Sequence, residues 1–181
     1  MNDHFSLFGL PARFALDEAA LAAAYQRVQS QVHPDRFAAA TPAERRVAMQ
    51  WATRANEAYG VLRAPLKRAA YLCELRGVSI DAESNTRMPI EFMQQQMQWR
   101  EALDAATRPL DPLAVTALAG ELARARTALT ATVANALDAR DDAVAAAAAV
   151  RQWLFVERFA EDVRRAQHAI EDAPAGAAAT R

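Results

Sequence analysis

Apolar residues in this chain recur at steps of three and four rather than in alternation. That period belongs to the α-helix, and it leaves little room for a sheet. Leu21, Ala24, Tyr25, Val28 and Val32 form one stripe, and Val47, Trp51, Ala55, Ala58 and Leu62 form the next. The boundaries agree with the stripes. Asp17 is a good N-cap for the first. Thr41 and Glu44 have capping-box spacing, with Pro42 at the first helical position of the second. Between them stands His33-Pro34-Asp35. Pro34 fixes its own φ and biases His33 away from the helical region, so the first helix must stop there. Two antiparallel helices follow, with the turn at their open end and the polar side chains of His33 and Asp35 available to a partner. A short helix after Pro65, over residues 66–75, and a terminal segment with Phe5, Leu7, Phe8 and Leu10 complete a compact unit at 1–76.

Residues 77–88 read as a linker, because Gly, Ser, Asn and Asp interrupt the periodicity. Three further helices are predicted. One runs over 89–107. One starts at Asp111-Pro112 and carries Leu118, Leu122, Ala125 and Leu129. The last spans about 141–172, with Val144, Ala148, Phe159, Val163, Ala166 and Ile170 on one face. Its alanine-rich start favours helix by intrinsic propensity. Short loops between long helices imply an antiparallel three-helix bundle over 89–172, and 173–181 reads as a frayed tail. The expected fold is all-α, a helical hairpin with flanking short helices followed by the bundle.

Composition narrows the function. The 181 residues are 52% hydrophobic, enough for one or two small domains with real cores. No run of about 18 apolar residues exists, so no membrane span is expected. The first residues carry Asp3 and no basic cluster, unlike a signal peptide. Cys73 is the single cysteine, which excludes an internal disulfide and suits a reducing cytoplasm. A net charge of −1 argues against general nucleic-acid binding. The charge divides into +3 over residues 1–76 and −4 over 77–181, as if the halves faced different partners. His4, His33 and His168 are the only histidines. No metal-ligand set or catalytic constellation is expected around them, so neither an enzyme nor a cofactor is predicted.

The helix from Pro89 carries two apolar faces. Phe92, Trp99 and Leu103 fall within about 40° of one another, while Ile90, Met93, Met97 and Glu101 lie roughly 100–200° away. The first stripe is the natural core contact. The second is either a contact to a third helix or a partner site.

Residues 1 to about 76 resemble a J-domain. The resemblance rests on the helix ending at Val32, the His33-Pro34-Asp35 turn, the helix from Thr41, and the stretch from Ala55 through Asn56, Glu57, Ala58, Tyr59, Gly60 and Val61 to Leu62 with Pro65, Lys67, Arg68 and Tyr71. The opening Phe5-Ser6-Leu7-Phe8-Gly9-Leu10-Pro11, and the stretch from Phe92 to Leu103, are similar to the HscB family, J-type co-chaperones of bacterial iron–sulfur cluster assembly. The resemblance implies a two-surface adaptor. His33, Pro34 and Asp35, with the basic Arg27 and Arg36, would dock on the ATPase of a DnaK-type chaperone, the HscA relative, and accelerate its ATP hydrolysis. Asp35 would accept from an arginine there in a directional, charge-assisted pair. Gln26, Gln29 and Gln31 supply no charge, so steering should be weaker than in many J-domains. The bundle would hold an IscU-like cluster scaffold through Met93, Gln94, Met97, Gln98, Glu101 and Ala105, joined by Phe155, and promote cluster transfer. Gln98 and Ala105 stand where family members often place acidic residues. Phe155 lies at the rim of the core stripe, so a buried role stays open. Trp153 lies off that stripe and is expected to be exposed. The alternative function is a J-protein serving a general DnaK-type chaperone with other clients.

Overall fold

A computed structural model describes residues 3–32, 41–80, 88–107 and 110–172. The described residues are helical without strands: α1 (His4–Phe8), α2 (Glu18–Val32), α3 (Pro42–Arg63), α4 (Pro65–Leu75), α5 (Ile90–Thr107), α6 (Pro112–Ala134) and α7 (Ala143–Glu171), with a π-helical turn at Asn135–Ala139. The chain divides into two compact units, Met1–Val78 with Ala134–Ala143, and Ser79–Val133 with Val144–Arg181.

The first unit is built as its caps dictate. The Asp17 carboxylate accepts from the amides of Ala19 and Ala20 at 2.9 and 3.1 Å. At α3 the capping box is complete: Thr41 Oγ1 accepts from the Glu44 amide and Glu44 Oε2 accepts from the Thr41 amide. Those bonds favour the charged form and hold the Glu44 carboxyl below its ordinary value. α2 and α3 are tied at mid-length. Tyr25 stacks on Tyr59 at 4.1 Å and donates to Asn56 Oδ1 at 2.8 Å. Phe5, Phe8, Leu21, Ala24, Ala55, Ala58, Leu62, Ala69 and Leu72 fill the core.

A charged group sits among them. Arg68 on α4 is 5% exposed, donates from Nε to the Phe14 carbonyl at 2.9 Å and from Nη1 to the Leu62 carbonyl, and lies 5.2 Å over the Phe14 ring. The neighbouring backbone is held from the other side. Asp138, in the π-helical turn, accepts from the amides of Phe14 and Ala15, both at 2.7 Å. Arg76 donates to the Leu137 carbonyl at 2.9 Å and pairs with Asp141 at 3.2 Å. Residues 134–143 therefore belong structurally with the first unit.

The second unit is a bundle of α5, α6 and α7. Phe92 meets Phe155 edge-on at 5.8 Å and Trp99 stacks with Phe159 at 6.4 Å, so α5 and α7 run parallel. Arg126 on α6 grips Glu157 on α7 through Nε at 2.6 Å and Nη2 at 3.0 Å. α6 runs antiparallel to both, with Leu118, Leu122, Val156 and Val163 buried between them.

Three expectations from periodicity need correction. Val47 and Trp51 are 52% and 39% exposed. α3 is seven residues longer than α2, and the Tyr25–Tyr59 pairing sets a register in which its first turns run past Val32 with no described helix beside them. Val144 is 68% exposed, while Trp153 is buried. Phe159 and Val163 of the expected stripe are buried, but the buried face of α7 is centred on Ala146, Ala149, Trp153, Val156 and Ala160, rotated from Val144. Alanine at nearly every early position gave that pattern no contrast.

Removing the Asp138 carboxylate leaves two amides of the loop before α2 without their acceptor. Asp138→Ala should cost about 1–3 kcal/mol, the range for a lost charge-assisted bond to a partly buried group. Urea unfolding of the full chain measures it, and an unchanged midpoint would show that solvent replaces Asp138 freely.

Candidate functional site

Of the residues expected to meet a chaperone, His33, Pro34, Asp35 and Arg36 lie outside the described residues. Arg27 is exposed on α2, away from the buried Leu21 and Ala24. Beside the end of α2, an apolar hollow of about 320 Å³ is lined by Val32, Ala43, Val47, Ala48 and Trp51, with Glu44 at its edge.

The geometry is sharpest on α5. Trp99 and Ala106 are buried, and Phe92 and Leu103 pack half-buried against the same core. The first stripe is therefore the core face, as the wheel requires. Met93, Gln94, Met97, Gln98, Glu101 and Ala105 are all exposed, with Met93 at 43% and Met97 at 62%. None of the six has a packing task in the bundle. The second stripe is not a contact to a third helix, since both partner helices sit on the Trp99 side. Ile90 shares this face at 61% exposure, and so does the exposed Asp104. The sequence reading left Asp104 unassigned, although a helical wheel places it between Met93 and Met97.

Phe155 stands apart from the six. It is half-buried, stacked against Phe159 at 6.0 Å and met edge-on by Phe92, and the Arg100 guanidinium lies 5.8 Å over its ring. One side of the ring completes the core and the other is covered by Arg100. Trp153, expected at the surface, instead donates from its buried indole to Glu157 Oε1 at 2.9 Å.

No group of three metal-ligating side chains comes together among the described residues. His168 has one carboxylate a turn on, Glu171 at 3.5 Å, which the sequence reading overlooked; two groups fall short of a ligand set. His4 stacks on Tyr71 at 4.2 Å, and burial lowers its pKa against the opposing pull of Glu57.

Residues 88–164 match a family model described as the HSCB C-terminal oligomerisation domain. The chain is 55% identical over 166 residues to the co-chaperone protein HscB homolog of Bordetella parapertussis, covering 92% of this chain and 96% of that protein. It is 57% identical over 162 residues to the homolog from Burkholderia multivorans, covering 90% and 92%. Among solved structures, chaperone HscB from Vibrio cholerae superposes with a TM-score of 0.79 at 32% identity, over 93% of this chain and 99% of that one. Human co-chaperone protein HscB gives 0.83 at 28% identity, over 90% and 81%.

The two faces of α5 predict opposite stability effects. Met93→Ala combined with Met97→Ala should move the unfolding free energy by no more than about 0.5 kcal/mol, as for other exposed positions. Trp99→Ala should cost about 3–5 kcal/mol through the lost contacts and the cavity. Melting curves of the two variants decide this, and early melting of the methionine pair would put those side chains inside the bundle.

Proposed function

The chain belongs to the HscB family of co-chaperones, and from that premise we propose that it delivers an IscU-like cluster scaffold to a DnaK-type chaperone of the HscA kind and stimulates that chaperone's ATPase. The proposed division of labour follows the two units. The turn His33-Pro34-Asp35, flanked by Arg27 and Arg36, engages the ATPase, and the exposed face of α5 holds the scaffold. Hydrolysis then locks the chaperone on the scaffold and promotes transfer of the cluster, which is cargo and not a cofactor of this chain. The chain itself performs no catalysis and works in the cytoplasm. No described helix is long and apolar enough to cross a membrane.

The observation that carries the reading is the second face of α5. A bundle helix needs one apolar stripe, and this one spends Met93 and Met97 on the side facing away from the core. Methionine suits such a surface, because its unbranched, polarizable side chain adapts to a partner. Joining both surfaces in one chain raises the effective concentration of scaffold at the chaperone, so stimulation by scaffold and co-chaperone together should exceed the sum of each.

The steady-state ATPase rate of the purified chaperone, with scaffold, with this chain and with both, tests the proposal. His33→Gln should abolish stimulation while leaving the melting temperature unchanged. Met93→Ala with Met97→Ala should spare stimulation by the chain alone and remove the synergy with scaffold, as expected when apolar anchors worth about 1–2 kcal/mol each are truncated. Normal stimulation by a folded His33→Gln protein would remove the ATPase-docking mechanism. Retained stimulation with no scaffold synergy in the unmodified chain would favour a general DnaK-type chaperone with other clients.

A further inference from the structure

The exposed face of α5 is longer than the set Met93 to Ala105, and it is polarised along its length. With Ile90 as the origin of the wheel, Met97 and Glu101 lie about 20° to either side, Asp104 about 40° away, and the buried Trp99 about 180° away. The crest farthest from the core is therefore Ile90, Met97, Glu101 and Asp104, all exposed. Gln98 and Ala105 fall about 60–80° down one flank. The crest begins apolar, with Ile90 and Met97 and with Met93 about 60° down the other flank, and ends acidic, with Glu101 and Asp104. Along the axis, Glu101 and Asp104 stand about 6 and 10 Å beyond Met97, the last apolar residue of the crest, at a rise of 1.5 Å per residue.

Among the described residues, which end at 107 here, nothing in the folding of the helix accounts for this ending. Glu101 and Asp104 are three residues apart, where like charges repel. Asp104 stands in the last turn of α5, where the helix dipole disfavours negative charge, and that turn carries no basic residue among those described. Neither has an ion-pair partner among the described residues. Arg100 on the same helix is turned to the Phe155 ring. A cation brought by a partner would relieve both penalties at once.

We propose that Ile90 and Asp104 are contact residues of this face, and that it fits a protein surface carrying an apolar patch with a lysine or arginine about 10 Å beyond it. The inference rests on the scaffold-binding reading above and narrows it. The charge missing at Gln98 and Ala105 is supplied on the crest by Asp104. Those two flank positions can then be neutral without loss of the electrostatic half of the site. The axial order of the face, apolar then acidic, fixes the direction in which a partner can lie along the helix, since the reversed orientation would set a buried cation against Ile90.

Titration calorimetry of the full chain against the purified cluster scaffold, at low and at high salt, tests this. Asp104→Asn should weaken binding about three- to fivefold at low salt, with the difference shrinking at high salt, as for an exposed ion pair. Ile90→Ala should weaken binding at both salt concentrations. Both variants should melt like the unmodified chain. Wild-type affinity and salt dependence in Asp104→Asn, with Met97→Ala still weakened, would overturn the extension and leave the scaffold reading standing. Wild-type binding by Met97→Ala would instead overturn that reading. If Ile90→Ala and Asp104→Asn break a dimer in sedimentation velocity without altering the scaffold titration, the face is occupied by a second copy of the chain and the proposal is wrong.

Discussion

Arg68 is the point on which the first unit depends. Its guanidinium is buried, and burial alone pulls its pKa down against the opposing carboxylates of Glu18 and Asp138. An unpaired charge in that position would be costly, so its surroundings must satisfy it. They do so with backbone: the Phe14 carbonyl before α2, the Leu62 carbonyl near the end of α3, and the Phe14 ring against its plane. One side chain on α4 thus fixes the segment that leads into α2 to the end of α3. Asp138 then fixes the same segment through the Phe14 and Ala15 amides.

The second unit solves the opposite problem. It packs one side of α5 into its core and leaves the other exposed. Rigidity comes from aromatic packing, with Phe92, Trp99, Phe155 and Phe159 meeting edge-on or stacked, and from the Arg126–Glu157 grip on the far side of the bundle. Because these contacts lock the helix without using its outer face, Met93 and Met97 can stay exposed at no cost to the core. Site residues carried on a regular helix held in this way are more precisely placed than residues on a loop.

Helix-by-helix, the sequence was a good guide wherever chemistry is local. Asp17, Thr41 with Glu44, and Asp111 all cap the helices they were read to start. The core stripe of α5 was legible because large aromatic residues alternate with glutamines. It failed where contrast was low or where neighbours decide. The alanine run opening α7 offered no directional signal, so Trp153 was placed outside and Val144 inside. Trp51 lies on the stripe that faces α2, yet it stands level with the last residue of α2, beside the hollow that it lines together with Val32. Among the candidate residues, the six on α5 could be grouped by angle, and the same wheel puts the proposed Asp104 among them, where the family pattern offers no residue.

Two kinds of information therefore made this protein. Caps, prolines and the 3.6-residue period act within a few bonds or one turn, so the sequence alone determined that the chain is helical, where the capped helices α2, α3 and α6 begin, and which motif lies between α2 and α3 in the sequence. The side of a helix that is buried depends on what lies against it, and that is set by residues distant in the chain. Only the tertiary structure decided that residues 134–143 complete the first unit, that Arg68 is buried against Phe14, and that the methionine face of α5 is left uncovered. Each of these requires long-range pairing, across 124 residues between Phe14 and Asp138, and no local pattern encodes a partner that far away.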